Sequence, residues 1–409
     1  MKTDLRNSGI IFSLAFLFFN AAFFNSIFNL VGLIFWKQLI ATFLLLFSSA
    51  YFINKAHNFF KNIFILVILT LITSLFSVYF SSINDDFLNR LLMLGYKFSG
   101  YGVFFGVIYF LLKIESVKTL EKLNKCIYIL CFIISCGVIV DFYTSIFDYY
   151  RFVNENAYSA QAVLSDPYNK RVSFFVGSSS ILFFIFSLPL FSRAVYERTI
   201  NISYFDMFYI VTSIIAIYLS GSRLSLVCFI LTNLFFIFLS VKKDKNIIKI
   251  LKVSALFFVL LISIFILSDS NAFERIFNIF SQSDAGNIGR IYYYKWFYNN
   301  ISNFSLVDLF FGYGYGYLNS AKSTFPSMHF ESSMISLIIE NGFFGLFFIS
   351  SIFYLLIKSS GEKSYLLFLF LFGVNFIFVP CFLNYVVMFV LSYVITMSFL
   401  SEKDLEHGS

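Results

Sequence analysis

Apolar residues gather along this chain in twelve long runs, and most of the charged residues fall in the gaps between them. The runs are 10–28, 35–53, 63–80, 91–112, 126–147, 172–191, 205–219, 224–239, 253–267, 334–357, 366–379 and 382–400. A helix needs about 20 apolar residues to cross the hydrocarbon layer, and each run is read as one crossing. The last two runs are nearly continuous. One helix over both would be about 50 Å long, too long for a single crossing, and Pro380 is where the chain turns. The pattern predicts an all-α, polytopic integral membrane protein of about twelve transmembrane helices, with residues 1–402 forming one domain. Residues 403–409 read as a cytoplasmic tail or a cloning remnant.

Composition agrees: 59% hydrophobic and 12% charged residues exclude an ordinary soluble domain. Lys and Arg give the orientation. With the N-terminus inside, one set of gaps holds Lys55, Lys61, Lys113, Lys118, Lys122, Lys125, Arg193 and Arg198, then five lysines from Lys242 to Lys252. The opposite gaps hold fewer, although they are longer. Both termini are therefore expected in the cytoplasm, with the first run a retained span and not a cleaved signal. The net charge of +7 then reports topology, and no nucleic-acid partner is expected. None of the five Cys lies in an outward loop, so no disulfide framework is expected. No Cys/His cluster has metal-ligand spacing, and neither metal nor cofactor is called for.

Two outward loops have real length, about 148–171 and about 269–331. The second is long enough to suggest function. Within it, 271–280 places Phe273, Ile276, Phe277 and Phe280 at helical spacing, as in an amphipathic helix on the outer membrane surface. A second helix is expected over 290–301, followed by a flexible turn at Gly312-Tyr313-Gly314-Tyr315-Gly316. No strand precedes this glycine run, which removes the dinucleotide reading. Arg223 follows Ser220-Gly221-Ser222 and precedes a span whose N-terminus faces outward. There, free N–H groups and a guanidinium together suit a phosphate; a snorkelling Arg at the boundary is the plainer reading. Arg290 is either a ligand or a solvated loop residue, Glu331 either a site residue or a helix cap, and His329 alone reads as interfacial.

In order, these stretches resemble the O-antigen ligase/polymerase superfamily of bacterial inner-membrane glycosyltransferases. The likeness rests on Ser-Gly-Ser-Arg223 before a span, and on Gly289-Arg290 followed after five residues by Trp296. It also rests on Leu309-Phe310-Phe311-Gly312-Tyr313-Gly314, and on Glu331-Ser332 followed by Gly342 and Gly345. It runs from about Arg171 to Leu346. Arg171, at the head of its span, resembles an Arg placed before the equivalent helix. Where the ligase branch has His, this chain has Glu331, which resembles the polymerase (Wzy) branch.

The resemblance implies a GT-C-like membrane fold. It also implies an undecaprenyl-pyrophosphate-linked oligosaccharide as donor and a second lipid-linked repeat unit as acceptor, within membrane lipid and beside a possible chain-length regulator. Arg223 and Arg290, with Arg171 as a third cation, would stabilise the departing pyrophosphate. Glu331 would take the acceptor's proton. The same cations keep that carboxylate ionised and weakly basic, which leaves His329 as the reserve base. Tyr293 and Trp296 would stack on sugar faces. Two other readings remain: a ligase using lipid A–core as acceptor, and a flippase or transporter of the same glycolipids. Transporters place polar or broken helices near the midplane, whereas here the informative residues crowd at one surface.

Overall fold

The computed structural model describes residues 7–18, 36–80, 87–114, 117–144, 182–197, 203–220, 222, 225–233, 285–314, 333–359 and 384–408. Every regular element among them is helical. They are α1 (Asn7–Phe18), α2 (Trp36–Asn54), α3 (Asn58–Phe80), α4 (Phe87–Leu112), α5 (Val117–Thr144) and α6 (Leu182–Glu197). Then come α7 (Tyr204–Leu219), α8 (225–233), α9 (Ala285–Asn300), α10 (Leu306–Phe311), α11 (Ser333–Ser359) and α12 (Tyr385–Gly408). Four stretches are long and apolar enough to cross a membrane: Asn58–Phe80, Arg90–Leu112, Lys118–Thr144 and Met334–Leu355. The runs 253–267 and 366–379, and the surface helix expected over 271–280, lie outside the described residues. Every other predicted run meets a helix.

Helix ends differ from the hydropathy boundaries where helix outlasts hydrocarbon. α5 begins at Val117, nine residues before its apolar run. Its polar first turns carry Leu120 and Leu123, both buried, and Asn124, whose Oδ1 accepts the Tyr393 hydroxyl at 2.5 Å. α12 likewise continues past the apolar run to Gly408.

α12 is buried on every face from Tyr385 to Met397, as a helix apolar all round must be. It packs against α4 and α6, and Phe389 meets Phe18 of α1 at 5.1 Å between ring centres. The Ser99 and Tyr385 hydroxyls join α4 to α12.

α4 reaches α2 through small residues. Gly102 lies so close to Ala41 that a Cβ on it would fall 1.7 Å from the Ala41 carbonyl oxygen. One turn on, Gly106 faces Leu44. The pair is a G-x-x-x-G motif, which draws membrane helices together by letting backbones touch.

α6 carries Pro189 in its interior. Proline has no N–H, so the carbonyl four residues back loses its helical donor. That carbonyl, on Ile185, accepts the Cys131 thiol of α5 at 3.3 Å instead, and the next one, on Phe186, accepts the Tyr209 hydroxyl of α7 at 2.8 Å. Neighbouring helices thereby satisfy the freed backbone.

The two ends of the bundle are distinct. At one, Lys113 Nζ sits 5.0 Å over the Tyr51 ring and His57 lies 5.0 Å from Phe399, between ring centres. At the other, the ends of α3, α4 and α11 meet the 306–314 segment. The turns that carry Lys55 and Lys113 and the 306–314 segment are thus at opposite ends of the bundle.

Candidate functional site

The loop segment folds back onto α11. α9 holds Gly289-Arg290 and ends at Asn300, whose side chain donates to the Trp296 carbonyl at 2.8 Å. Trp296 is half-buried. With Tyr294, Phe297, Phe304 and Tyr313 it packs on Ile335 and Ile339 in the first turns of α11. A 3-10 turn (Ile301–Asn303) leads to α10, capped by Ser305, whose Oγ accepts the Asp308 N–H at 3.1 Å.

After α10 the chain is not the free flexible turn expected over 312–316, at least as far as Gly314. α11 is broken at Gly342, where φ is 63° and ψ −167°, a region essentially reserved for glycine. The break releases carbonyls that a continuous helix would use, and the glycine segment takes them. Tyr313 N donates to the Ile339 carbonyl and Gly314 N to the Glu340 carbonyl, both at 2.8 Å. Gly312 shares the unusual backbone, with φ 74° and ψ −177°. A Cβ on Gly312 would sit 2.5 Å from Gly342 N, and one on Gly342 would sit 2.3 Å from the Phe310 carbonyl oxygen. Two glycine stretches separated in sequence therefore form one junction that admits no side chain.

Buried polar groups surround this junction. Ser74 Oγ of α3 lies 2.6 Å from Asn341 Oδ1 and 2.7 Å from the Thr70 carbonyl, so its single proton is contested between them. Ser77 Oγ donates to the Gly312 carbonyl at 3.4 Å. Arg90, 2% exposed, lies over Gly314; a Cβ there would meet its guanidinium at 2.7 Å. Glu340 is also buried. Ser74→Ala should lower the melting temperature of detergent-solubilised protein, by about 1–3 kcal/mol of stability, because a buried amide loses its partner. Ser49→Ala, which removes only a hydroxyl bonded to the Leu46 carbonyl on an exposed face, should leave it unchanged.

Several predicted site residues fall outside the described set: Glu331, His329, Arg171 and Arg223 entirely, Arg290 and Tyr293 in their side chains. Leu226 N donates to the Ser222 carbonyl at 3.0 Å, the first helical bond of α8. The backbone at Arg290 and Tyr293 is helical, and Glu331 precedes α11 by two residues. Sequence reasoning missed Arg90, Glu340, Asn341 and Ser74. The available signal was charge and amide inside apolar helices, which is costly without a role.

The chain matches no curated protein and no solved structure. One family model does match, and the matched stretch contains Arg223, Arg290, Trp296, the whole glycine junction and Glu331, but not Arg171. Residues 208–350 match the O-Antigen ligase family model (Wzy_C), consistent with the O-antigen polymerase/ligase superfamily.

Proposed function

We propose that this protein is a polysaccharide polymerase, joining undecaprenyl-pyrophosphate-linked repeat units at the periplasmic face of the bacterial inner membrane. The observation that carries the glycosyltransferase reading is the family match over 208–350, a stretch that includes α9, α10 and α11, which pack together at the loop end; Glu331, where the ligase branch has His, favours the polymerase. The lysine-bearing end of the bundle then faces the cytoplasm, and both termini lie there.

In this reaction an acceptor sugar hydroxyl attacks the donor's anomeric carbon. The bond to the pyrophosphate breaks, and its electron pair leaves with the phosphate oxygen. Arg223 at the head of α8 and Arg290 on α9 receive that charge, with Arg171 as a third cation; fixed charges of this kind need no reorganisation as the bond breaks. Glu331 takes the hydroxyl proton, or His329 does. Trp296 and Tyr293 hold sugar faces. Trp296 has a structural share as well, because its packing on Ile335 and Ile339 ties α9 to the helix that follows Glu331.

Purified protein in nanodiscs, given lipid-linked repeat units alone, should yield a ladder of lengthened lipid-linked glycans. Glu331→Ala and Arg290→Ala should each abolish the ladder. The family model's description as a ligase supports one second reading, transfer to lipid A–core. Product formation only after that acceptor is added would establish it in place of the polymerase. Glycolipid movement across liposomes without any new bond would mean transport.

A further inference from the structure

α10 belongs to the long loop, and at the loop end of the bundle it packs below the first turns of α11. Its C-terminal residue, Phe311, leads into Gly312, which meets Gly342 nine residues inside α11. At the helical rise that is about 13 Å below the first residue of α11. The same segment touches α3 at Ser77, three residues inside its end, and lies beside Asn341, which pairs with Ser74, six residues inside. The loop therefore re-enters the bundle alongside α3 and α11.

Its side chains divide accordingly. Leu306, Val307 and Phe310 are 73%, 52% and 47% exposed. At about 100° per residue they share one face of α10, with Asp308 on the opposite side. Asp308 and Leu309 are half-buried, and the Asp308 carboxylate accepts the Ser305 hydroxyl at 2.6 Å. The exposed face continues directly into α11. Phe310 and Phe344 rings lie 5.6 Å apart, and Phe311 and Phe344 rings 5.2 Å. Phe343, Phe344 and Phe347 of α11 are themselves exposed, on a helix apolar enough to span the membrane. One apolar surface thus covers a spanning helix and a loop helix without interruption. Backbone at this depth requires internal partners, and Tyr313 and Gly314 find them on the Ile339 and Glu340 carbonyls.

We infer that α10 is a re-entrant helix whose Leu306–Val307–Phe310 face is in contact with the acyl chains of the bilayer, and not with water. Lipid is the occupant because the face is continuous with the lipid-facing side of α11 at the same depth.

Site-specific photo-crosslinking tests this in the full-length protein in liposomes. p-Benzoylphenylalanine replaces Leu306, Val307 or Phe310 in turn, with Phe347 as the lipid-facing reference, and products are read by intact-mass spectrometry and gel mobility. The expected result is a lipid adduct at all three positions, at a yield within about twofold of that at Phe347. A dimer band would mean that the face binds a second copy. A crosslink within the chain would mean that another segment covers it, and absence of any adduct would mean water. Each of these three outcomes overturns the inference.

Discussion

Gly342→Ala should cost the protein both its stability and its activity. At φ 63° and ψ −167° an alanine pays about 1–3 kcal/mol for the backbone conformation alone. Its methyl would also lie 2.3 Å from the Phe310 carbonyl oxygen and 2.6 Å from Phe311 N, where backbone and not a flexible side chain must give way. α10 is forced off α11, the bonds from Tyr313 and Gly314 open, and α9 loses the Tyr313 ring that packs with it on α11. The elongation ladder should fall to background, with a clear drop in melting temperature. Gly312→Ala meets the same backbone from the other side, at 2.5 Å from Gly342 N. Once the junction is open, the second substitution has little left to break. The double variant should therefore be destabilised by less than the sum of the singles, as measured by thermal denaturation in one detergent. Full additivity would show that the two glycines do not share a contact.

The second large effect is expected far from the site. Gly102→Leu should separate α4 from α2, since even a Cβ at that position would overlap the Ala41 carbonyl. Overpacking a tight core costs about 1–3 kcal/mol, and here two helix backbones must part to accommodate it. Gly95→Leu is the matched control on the same helix. Nothing lies within 4 Å of its Cβ position, so folding yield and melting temperature should stay near those of the parent. Gly106→Ala should fall between them, because the nearest atoms, at 3.2–3.4 Å, belong to the Leu44 side chain, which can turn aside.

The spans were legible because burial in lipid writes itself into composition: a helix such as α3 has no charged residue from Ile63 to Phe80. Lysine placement separates the two ends of the bundle, with Lys55 and Lys113 at the end opposite the 306–314 segment. The break in α11 was not legible, because hydropathy treats 334–357 as one run and does not register that Gly342 interrupts a hydrogen-bond ladder. The resemblance drew attention to Gly312, Gly314, Gly342 and Gly345 as separate marks along the chain. Only the fold shows that the first and third touch. The glycine run was expected to be flexible, since glycine is permissive in isolation; here the permissiveness is used to hold one rare conformation. Arg90 was overlooked because it stands at the edge of an apolar run, where a charge ordinarily snorkels.

The Ser74–Asn341 contact joins residues 267 positions apart. At a synthesis rate of about 5–20 residues per second, α3 and α4 precede α11 by roughly 13–50 s. During that interval the α3–α4 hairpin, with Ser74, Ser77 and Arg90 at its loop end, resides in the membrane before the surface that will cover them has been made. The junction therefore closes among the last events of biogenesis, so a chain arrested before α11 would lack α12 as well and would carry an α3–α4 hairpin whose polar end is open to whichever insertion factor or lipid headgroup reaches it first.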